Sequence, residues 1–197
     1  MADKLQHILA EYSKYDNHEG TDKSTLHSYD TLYSSIFSKI DPVNILEIGV
    51  FSGAFLEVLS KYFDNAKAII GIDITLKNVK FGSNDPRISL YEKNASLVET
   101  AEEIGSKYTN FDLIIEDGSH LLEDQIDTLK NFARFISKKG VYIIEDIDIG
   151  KYPTIKNDLS QVAKNNNLIM TWFDMRDIKG RFDDVVAVFK HSSNYIL

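Results

Sequence analysis

Apolar positions along the chain fall into short blocks whose spacing alternates between two periods. Compact apolar runs at 44–48, 68–72, 88–91, 113–115 and 141–144 predict strands buried on both faces. Three- and four-residue steps predict helices at 54–63 and 96–107. The same steps, through Leu122, Ile126, Leu129, Phe132 and Ile136, place a helix between the last two strands. A helix at 154–164 then leads to a strand at 168–174, a turn at Ile178-Lys179-Gly180-Arg181 and a strand at 185–190. That turn is too short for a crossover, so the closing pair is an antiparallel hairpin. Alternating elements of this kind predict an α/β fold: a single Rossmann-like, doubly wound, mostly parallel sheet with a C-terminal antiparallel hairpin strand. Upstream, Leu5, Ile8, Leu9 and Tyr12 mark a short amphipathic helix, and 16–25 is a polar loop. A second helix at 27–39 carries Tyr29, Leu32, Tyr33, Ile36 and Phe37 on its apolar side and stops at Asp41-Pro42. Residues 75–87 form a loop without periodicity. The expectation is one domain over 1–197, with 1–40 a helical lid or substrate segment and 41–197 the α/β core.

The strands flanking the 122–136 helix end in acidic pairs, Glu116-Asp117 and Glu145-Asp146. A right-handed crossover makes them parallel, so both pairs emerge on the sheet edge where open α/β folds bind ligands. Neighbouring strands lie about 4.8 Å apart, close enough for their terminal carboxylates to share one cation. His120 follows Asp117 by three residues, at the start of the helix. Solvated acidic residues at strand ends are common; two pairs flanking an imidazole favour a site. The run Asn44 to Gly53 joins the first strand of the alternating region to its helix. Gly49 permits a tight turn, Gly53 permits a close approach by a ligand or the helix, and the helix amides would face a ligand. Glu47 is a candidate acceptor for a ligand amine or hydroxyl. Asp73 ends the next strand about 20 residues on, the spacing of a ribose-binding acid.

Composition narrows the chemistry. The 197 residues are 43% hydrophobic and 26% charged, with a formal net charge of -8, which argues against nucleic acid or an anionic membrane as partner. The chain has no cysteine, so a metal would be held by oxygen and imidazole, which favours Mg2+, Mn2+ or Ca2+ over zinc. No apolar run approaches membrane-spanning length, and the expectation is a soluble, cytoplasmic protein. His7, His18 and His191 lack any such context and are assigned to the surface. Trp172 and Phe173 are assigned to the core of the hairpin.

The E-x-G-x-x-x-G turn, the acid after the second strand and the terminal hairpin together resemble a class I S-adenosylmethionine-dependent methyltransferase from Asn44 onward. The segments GTDKSTLHSY (Gly20 to Tyr29), LEIGVFSG, IIEDGSH and YIIEDID resemble the macrocin and mycinamicin type of metal-dependent sugar O-methyltransferase. That resemblance implies Asp117, Glu145 and Asp146 as ligands of Mg2+ (or Mn2+), and His120 as base. It implies Glu47, Gly49, Gly53, Asp73, Asn94 and Asp117 as the S-adenosyl-L-methionine pocket. Thr21, Lys23, His27 and Tyr29 become candidates for a lid over the substrate, although Thr21, Asp22 and Lys23 also suit a capping loop for the second helix. Phe51 stands where many members have glycine, and Asn94 where an acidic residue often meets the adenine. The implied substrate is a small-molecule sugar or glycoside, and the implied assembly a homo-oligomer. Two other readings are a catechol-type metal-dependent O-methyltransferase and a non-catalytic nucleoside-binding module, the latter predicting cofactor binding without a metal.

Overall fold

The structure, a computed structural model, describes residues 4–14 and 19–192; His18 and the beginning of the polar loop lie outside the described residues. Helices α1 (Lys4–Tyr12) and α2 (Tyr29–Phe37) are joined through a two-residue ribbon, β1 (Ser13–Lys14) and β2 (Glu19–Gly20). The alternating region follows as β3 (Asn44–Ile48), α3 (Ala54–Tyr62), β4 (Ala68–Asp73), β5 (Ile88–Glu92), α4 (Val98–Tyr108), β6 (Phe111–Glu116), α5 (Leu122–Phe132) and β7 (Ile136–Ile144). The chain closes with α6 (Ile155–Asn165), β8 (Leu168–Asp174), a one-turn helix α7 (Arg176–Lys179) and β9 (Val185–His191).

The main sheet has seven strands in the order β5-β4-β3-β6-β7-β9-β8. Every neighbouring pair from β5 to β7 is parallel, whereas β9 runs antiparallel to both β7 and β8. Strand order reverses between β3 and β6, which opens a crevice at their C-terminal ends.

Both faces are covered, so alternate strand residues enter different cores. Ile45, Leu113, Ile115 and Ile143 pack with α1, α2 and α3; Leu46, Ile48, Ile114 and Ile144 pack with α4, α5 and α6. This alternation decides which way each terminal acid points.

The expected doubly wound sheet with its antiparallel hairpin is the fold observed, with local differences. Helix α2 begins at Tyr29 because the amides of Thr25, Leu26 and His27 all donate to the Asp22 carbonyl, a turn of their own before the helix. Helix α5 stops at Phe132, and Ile136 opens β7, buried opposite Phe111 after a 3-10 turn at Ala133–Phe135. The last strand is inserted between β7 and β8, which leaves β8 at the edge. Trp172 and Phe173 are accordingly half-buried, not core, and Lys156 lies over the Trp172 ring. His7 is exposed and His191 half-buried. No helix among the described residues is long and apolar enough to cross a membrane.

Candidate active site

The turn after β3 fixes the site. Gly49 has φ +87, and a Cβ on it would lie 2.0 Å from the Asp117 carbonyl oxygen, so the β3 and β6 ends touch through bare backbone. The Asp117 amide donates to Ile48 O at 2.8 Å, which locks the same contact. The 75–87 loop approaches Gly53: its Phe81 carbonyl would sit 2.5 Å from an added Cβ. The turn's amides are also used internally, against the expectation that they face a ligand. Val50 and Phe51 donate to Asp73 Oδ2 at 2.8 and 2.9 Å, Gly53 to the Val50 carbonyl, and Ala54 to Ser52 Oγ. Asp73 therefore shapes the turn while still lining the crevice.

The crevice is a cleft of about 430 Å3, within the range of small-ligand sites. Gly49, Asp73, Asn94, Glu116, Asp117, His120 and Asp146 all line it. Asn94 Oδ1 accepts from the Ser96 amide and hydroxyl. Phe51, 50% exposed, and Ile74, 73% exposed, add apolar surface at the rim. Glu47 is not among the lining groups. It is buried on the α1–α3 face with Oε2 unpartnered, and burial pushes its carboxyl well up despite the opposing charge of Lys23.

At the open end, Asp117, His120 and Asp146 each offer one ligand atom within 4.8 Å of the others. His120 Nε2 is 3.8 Å from Asp146 Oδ2, and His120 Nδ1 is buried without a protein partner. Phe51, His120 and Asp146 all adopt positive φ, at 47, 56 and 51 degrees, so three strained non-glycine residues gather here. His120 lies in the loop ahead of α5, not within the helix.

Glu145 goes the other way. It follows Ile143 on the α2 face, where Tyr33 donates to Oε1 and Lys23 Nζ to Oε2 at 2.5 Å. Lys23, only 2% exposed, also donates to Asp117 Oδ2 at 2.6 Å. The structure thus brings Asp117 and Asp146 together with His120, and gives Glu145 to Lys23. Thr21 sits at the root of the strap, its amide donating to the Tyr12 carbonyl.

The strap over residues 20–29 presses Lys23, His27 and Tyr29 into the acidic edge, and it also meets the start of α2 through backbone, the Tyr29 amide donating to the Lys23 carbonyl at 3.0 Å while the N-cap Ser28 makes no side-chain cap bond. Tyr29 donates to Asp146 Oδ1 and stacks on His27. His27 Nδ1 lies 2.7 Å from Asp184 Oδ1 and 3.4 Å from Asp146. His27, Asp183 and Asp184 form a second group with ligand atoms within 4.8 Å, but Arg181 holds both oxygens of Asp183. Tyr33 and Asp184 escape sequence reasoning: Tyr33 reads as an ordinary apolar-face residue, whereas the Asp183-Asp184 pair ahead of the last strand was a usable signal.

The charges do not balance. Burial drives Glu116 up to about 8 and Asp146 up to about 6, the latter also raised by Asp117 and opposed by His27 and His120. Burial would lower Lys23, but Asp117, Glu145 and Asp22 outweigh it and hold its pKa well above the lysine range. Glu145 is pushed up to about 7 by burial, against the pull of Lys23. Both values rise for different reasons: two carboxylates favour the charged lysine, whereas Glu145, with one lysine beside it, loses more to burial than that lysine restores. Lys23 is the securely charged member. An excess of buried carboxylate around hard oxygen donors suits a divalent cation at Asp117 and Asp146.

Comparison with known proteins agrees with this geometry. Residues 41–189 match the model of a methyltransferase domain. The 8-demethyl-8-alpha-L-rhamnosyl tetracenomycin-C 2'-O-methyltransferase of Streptomyces olivaceus is 26% identical over 150 residues, 70% of this chain and 38% of that protein. Demethylmacrocin O-methyltransferase of Streptomyces fradiae is 26% identical over 143 residues, 68% of this chain and 35% of that protein. The chain thus spans about a third of the length of the curated relatives it matches. Among solved structures, MycE methyltransferase from the mycinamycin biosynthetic pathway, in complex with Mg and SAH, superposes with a TM-score of 0.74 at 20% identity. That superposition covers 100% of this chain and 57% of MycE. The resemblance expected from the segments around Gly20, Glu47, Asp117 and Asp146 is borne out, and the chain belongs to the methyltransferase domain family.

Proposed function

We propose that the chain is the catalytic domain of an S-adenosylmethionine-dependent, divalent-metal-dependent O-methyltransferase acting on a hydroxyl of a sugar or glycoside. The observation that carries this reading is the convergence of Asp117, His120 and Asp146 at the open end of a nucleoside-sized cleft. The curated relatives named above, an O-methyltransferase of a rhamnosyl tetracenomycin and demethylmacrocin O-methyltransferase, support the acceptor class. When bound, the sulfonium cofactor supplies the methyl group and Mg2+ or Mn2+ lowers the pKa of the acceptor hydroxyl.

The chain's own residues do the rest. Asp117 and Asp146 would hold the cation, and His120 Nε2, beside Asp146 in the cleft, would take the hydroxyl proton. Asp73 and Asn94 offer polar contacts to a nucleoside, while Phe51 and Ile74 offer it apolar surface. The strap bearing Lys23, His27 and Tyr29 walls the acceptor side and excludes water from the acidic edge. The remaining weight of catalysis falls on orientation.

The test is calorimetric titration of Mg2+ into protein saturated with S-adenosylmethionine, wild type beside Asp117→Ala, followed by a methyl-transfer screen on glycosides with adjacent hydroxyls. Saturable Mg2+ binding that disappears in the variant is expected. Cofactor binding with no Mg2+ binding in wild type would remove the metal from the reading and leave a metal-independent enzyme or a binding module.

A further inference from the structure

The strap is held from two directions. Its inward side chains meet the acids of the cleft, while part of its backbone faces the tip between β8 and β9. The amides of Thr25, Leu26 and His27 turn to one acceptor, the Asp22 carbonyl, at 3.0, 3.0 and 3.1 Å. The carbonyls of Ser24, Thr25 and His27 converge instead on a single donor, the Lys179 ammonium, at 2.7, 3.1 and 2.6 Å. Lys179 is the last residue of α7, and Gly180, at φ +74, ends that turn with its amide on the Arg176 carbonyl at 2.9 Å. The arginines of the tip are occupied locally, Arg176 on Asp174 and Arg181 on Asp183, whereas Lys179 reaches across to the strap. Exposed lysine ion pairs contribute little, but an ammonium carries three donors and here three peptide carbonyls receive them. Two more ties join the same segments: His27 Nδ1 lies 2.7 Å from Asp184 Oδ1, and the Tyr29 hydroxyl donates to the Asp183 carbonyl at 3.4 Å.

We propose that Lys179 is the latch of the acceptor side: it fastens the strap to the β8–β9 tip, and the wall carrying Lys23, His27 and Tyr29 opens when this ammonium leaves its three carbonyls. The proposal rests on the methyltransferase reading only for the side that the acceptor takes. All three bonds of Lys179 go to the strap, so its release leaves the sheet and the cofactor side of the cleft with their contacts. Such opening is a local event, separate from global unfolding. It lets the acceptor side widen for a glycoside while the nucleoside end of the cleft stays formed.

The experiment is hydrogen–deuterium exchange of the ligand-free protein, wild type beside Lys179→Met and Lys179→Arg, with calorimetric titration of S-adenosylhomocysteine into each. The amides to follow are those of Thr25, Leu26, His27 and Tyr29, all hydrogen-bonded within the strap. In Lys179→Met they should exchange on the order of tenfold faster, the scale of one hydrogen bond from a charged donor. Trypsin cleavage after the buried Lys23 should accelerate with them. Lys179→Arg, which keeps charge and donors, should stay within about threefold of wild type. Protection of β3 and β6 and the affinity for S-adenosylhomocysteine should be unchanged in both variants. Unaltered strap exchange in Lys179→Met would overturn the proposal, and so would faster exchange spread equally over the sheet or an equal loss of protection in Lys179→Arg. Absence of S-adenosylhomocysteine binding in all three proteins would count against the methyltransferase reading, with the latch still decided by exchange.

Discussion

Replacing Gly49 with alanine tests how the cleft is held open. Two penalties add there. The left-handed backbone, at φ +87, disfavours any residue with a Cβ by about 1–2 kcal/mol. The new Cβ would also lie 2.0 Å from the Asp117 carbonyl oxygen and 2.7 Å from the Gly118 Cα. Backbone cannot rotate away as a side chain can, so the Asp117 peptide must shift by about 1 Å, an overpacking strain of about 1–3 kcal/mol. Together Gly49→Ala should lose about 2–5 kcal/mol of stability. Gly180→Ala is the control: φ there is +74, yet nothing lies within 4 Å of an added Cβ, so it carries the backbone penalty alone. Urea unfolding of both variants measures the difference, and Mn2+ titration reads displacement of Asp117. Equal losses in the two variants would refute the argument that β3 and β6 meet through bare backbone.

Other consequences can be measured separately. Glu116 is raised by burial from 4.5 to about 8, so between those values the folded state binds more protons than the unfolded chain and stability falls as pH rises. A complete shift of that size corresponds to at most about 5 kcal/mol. Urea melts of metal-free protein from pH 5 to 8 should show the decline, flattened by Glu116→Gln; a rise over that range would contradict the sign. His120→Ala should lower kcat by roughly 10²–10⁴-fold with cofactor affinity intact, and near-wild-type turnover would exclude it as the base. Asp184→Asn, which removes the charge beside buried His27, should cost about 1–3 kcal/mol in thermal or urea unfolding and loosen the strap. Proteolysis within residues 20–29 no faster than in wild type would argue against that link.

The sheet was legible because each parallel strand shows a short, mostly apolar run that stops at an acid or a glycine. Strands β3 and β8 match the sequence boundaries, and β4, β5 and β6 differ by a few end residues. Ile136 was misread because three- and four-residue spacing continues across the α5 end, while its burial against Phe111 is a tertiary matter. The insertion of β9 inside the sheet was likewise invisible, since a hairpin has the same local pattern on either side. At the site, the acids and His120 could be found from sequence. Their division into Asp117 with Asp146 and Glu145 with Lys23 could not. It follows from which face of β7 each side chain leaves, and from a strap whose loop-like composition hides an inward-pointing lysine. Glu47 and Asp73 show the same limit: the first is shut away from the cleft, and the second is occupied with the turn's own amides.

The placement of β9 has a consequence for assembly of the chain. Strand β7 ends at Ile144, but the edge it offers is covered only by residues 185–191, and β8 is synthesised before the strand that links it to the sheet. During synthesis β7 must therefore wait, an open and strongly apolar edge, until more than forty further residues have emerged. The His27–Asp184 contact spans 157 residues, so that tie of the strap becomes available only after the partners for its Lys23 and Tyr29 contacts, Asp117, Glu145 and Asp146, have been synthesised.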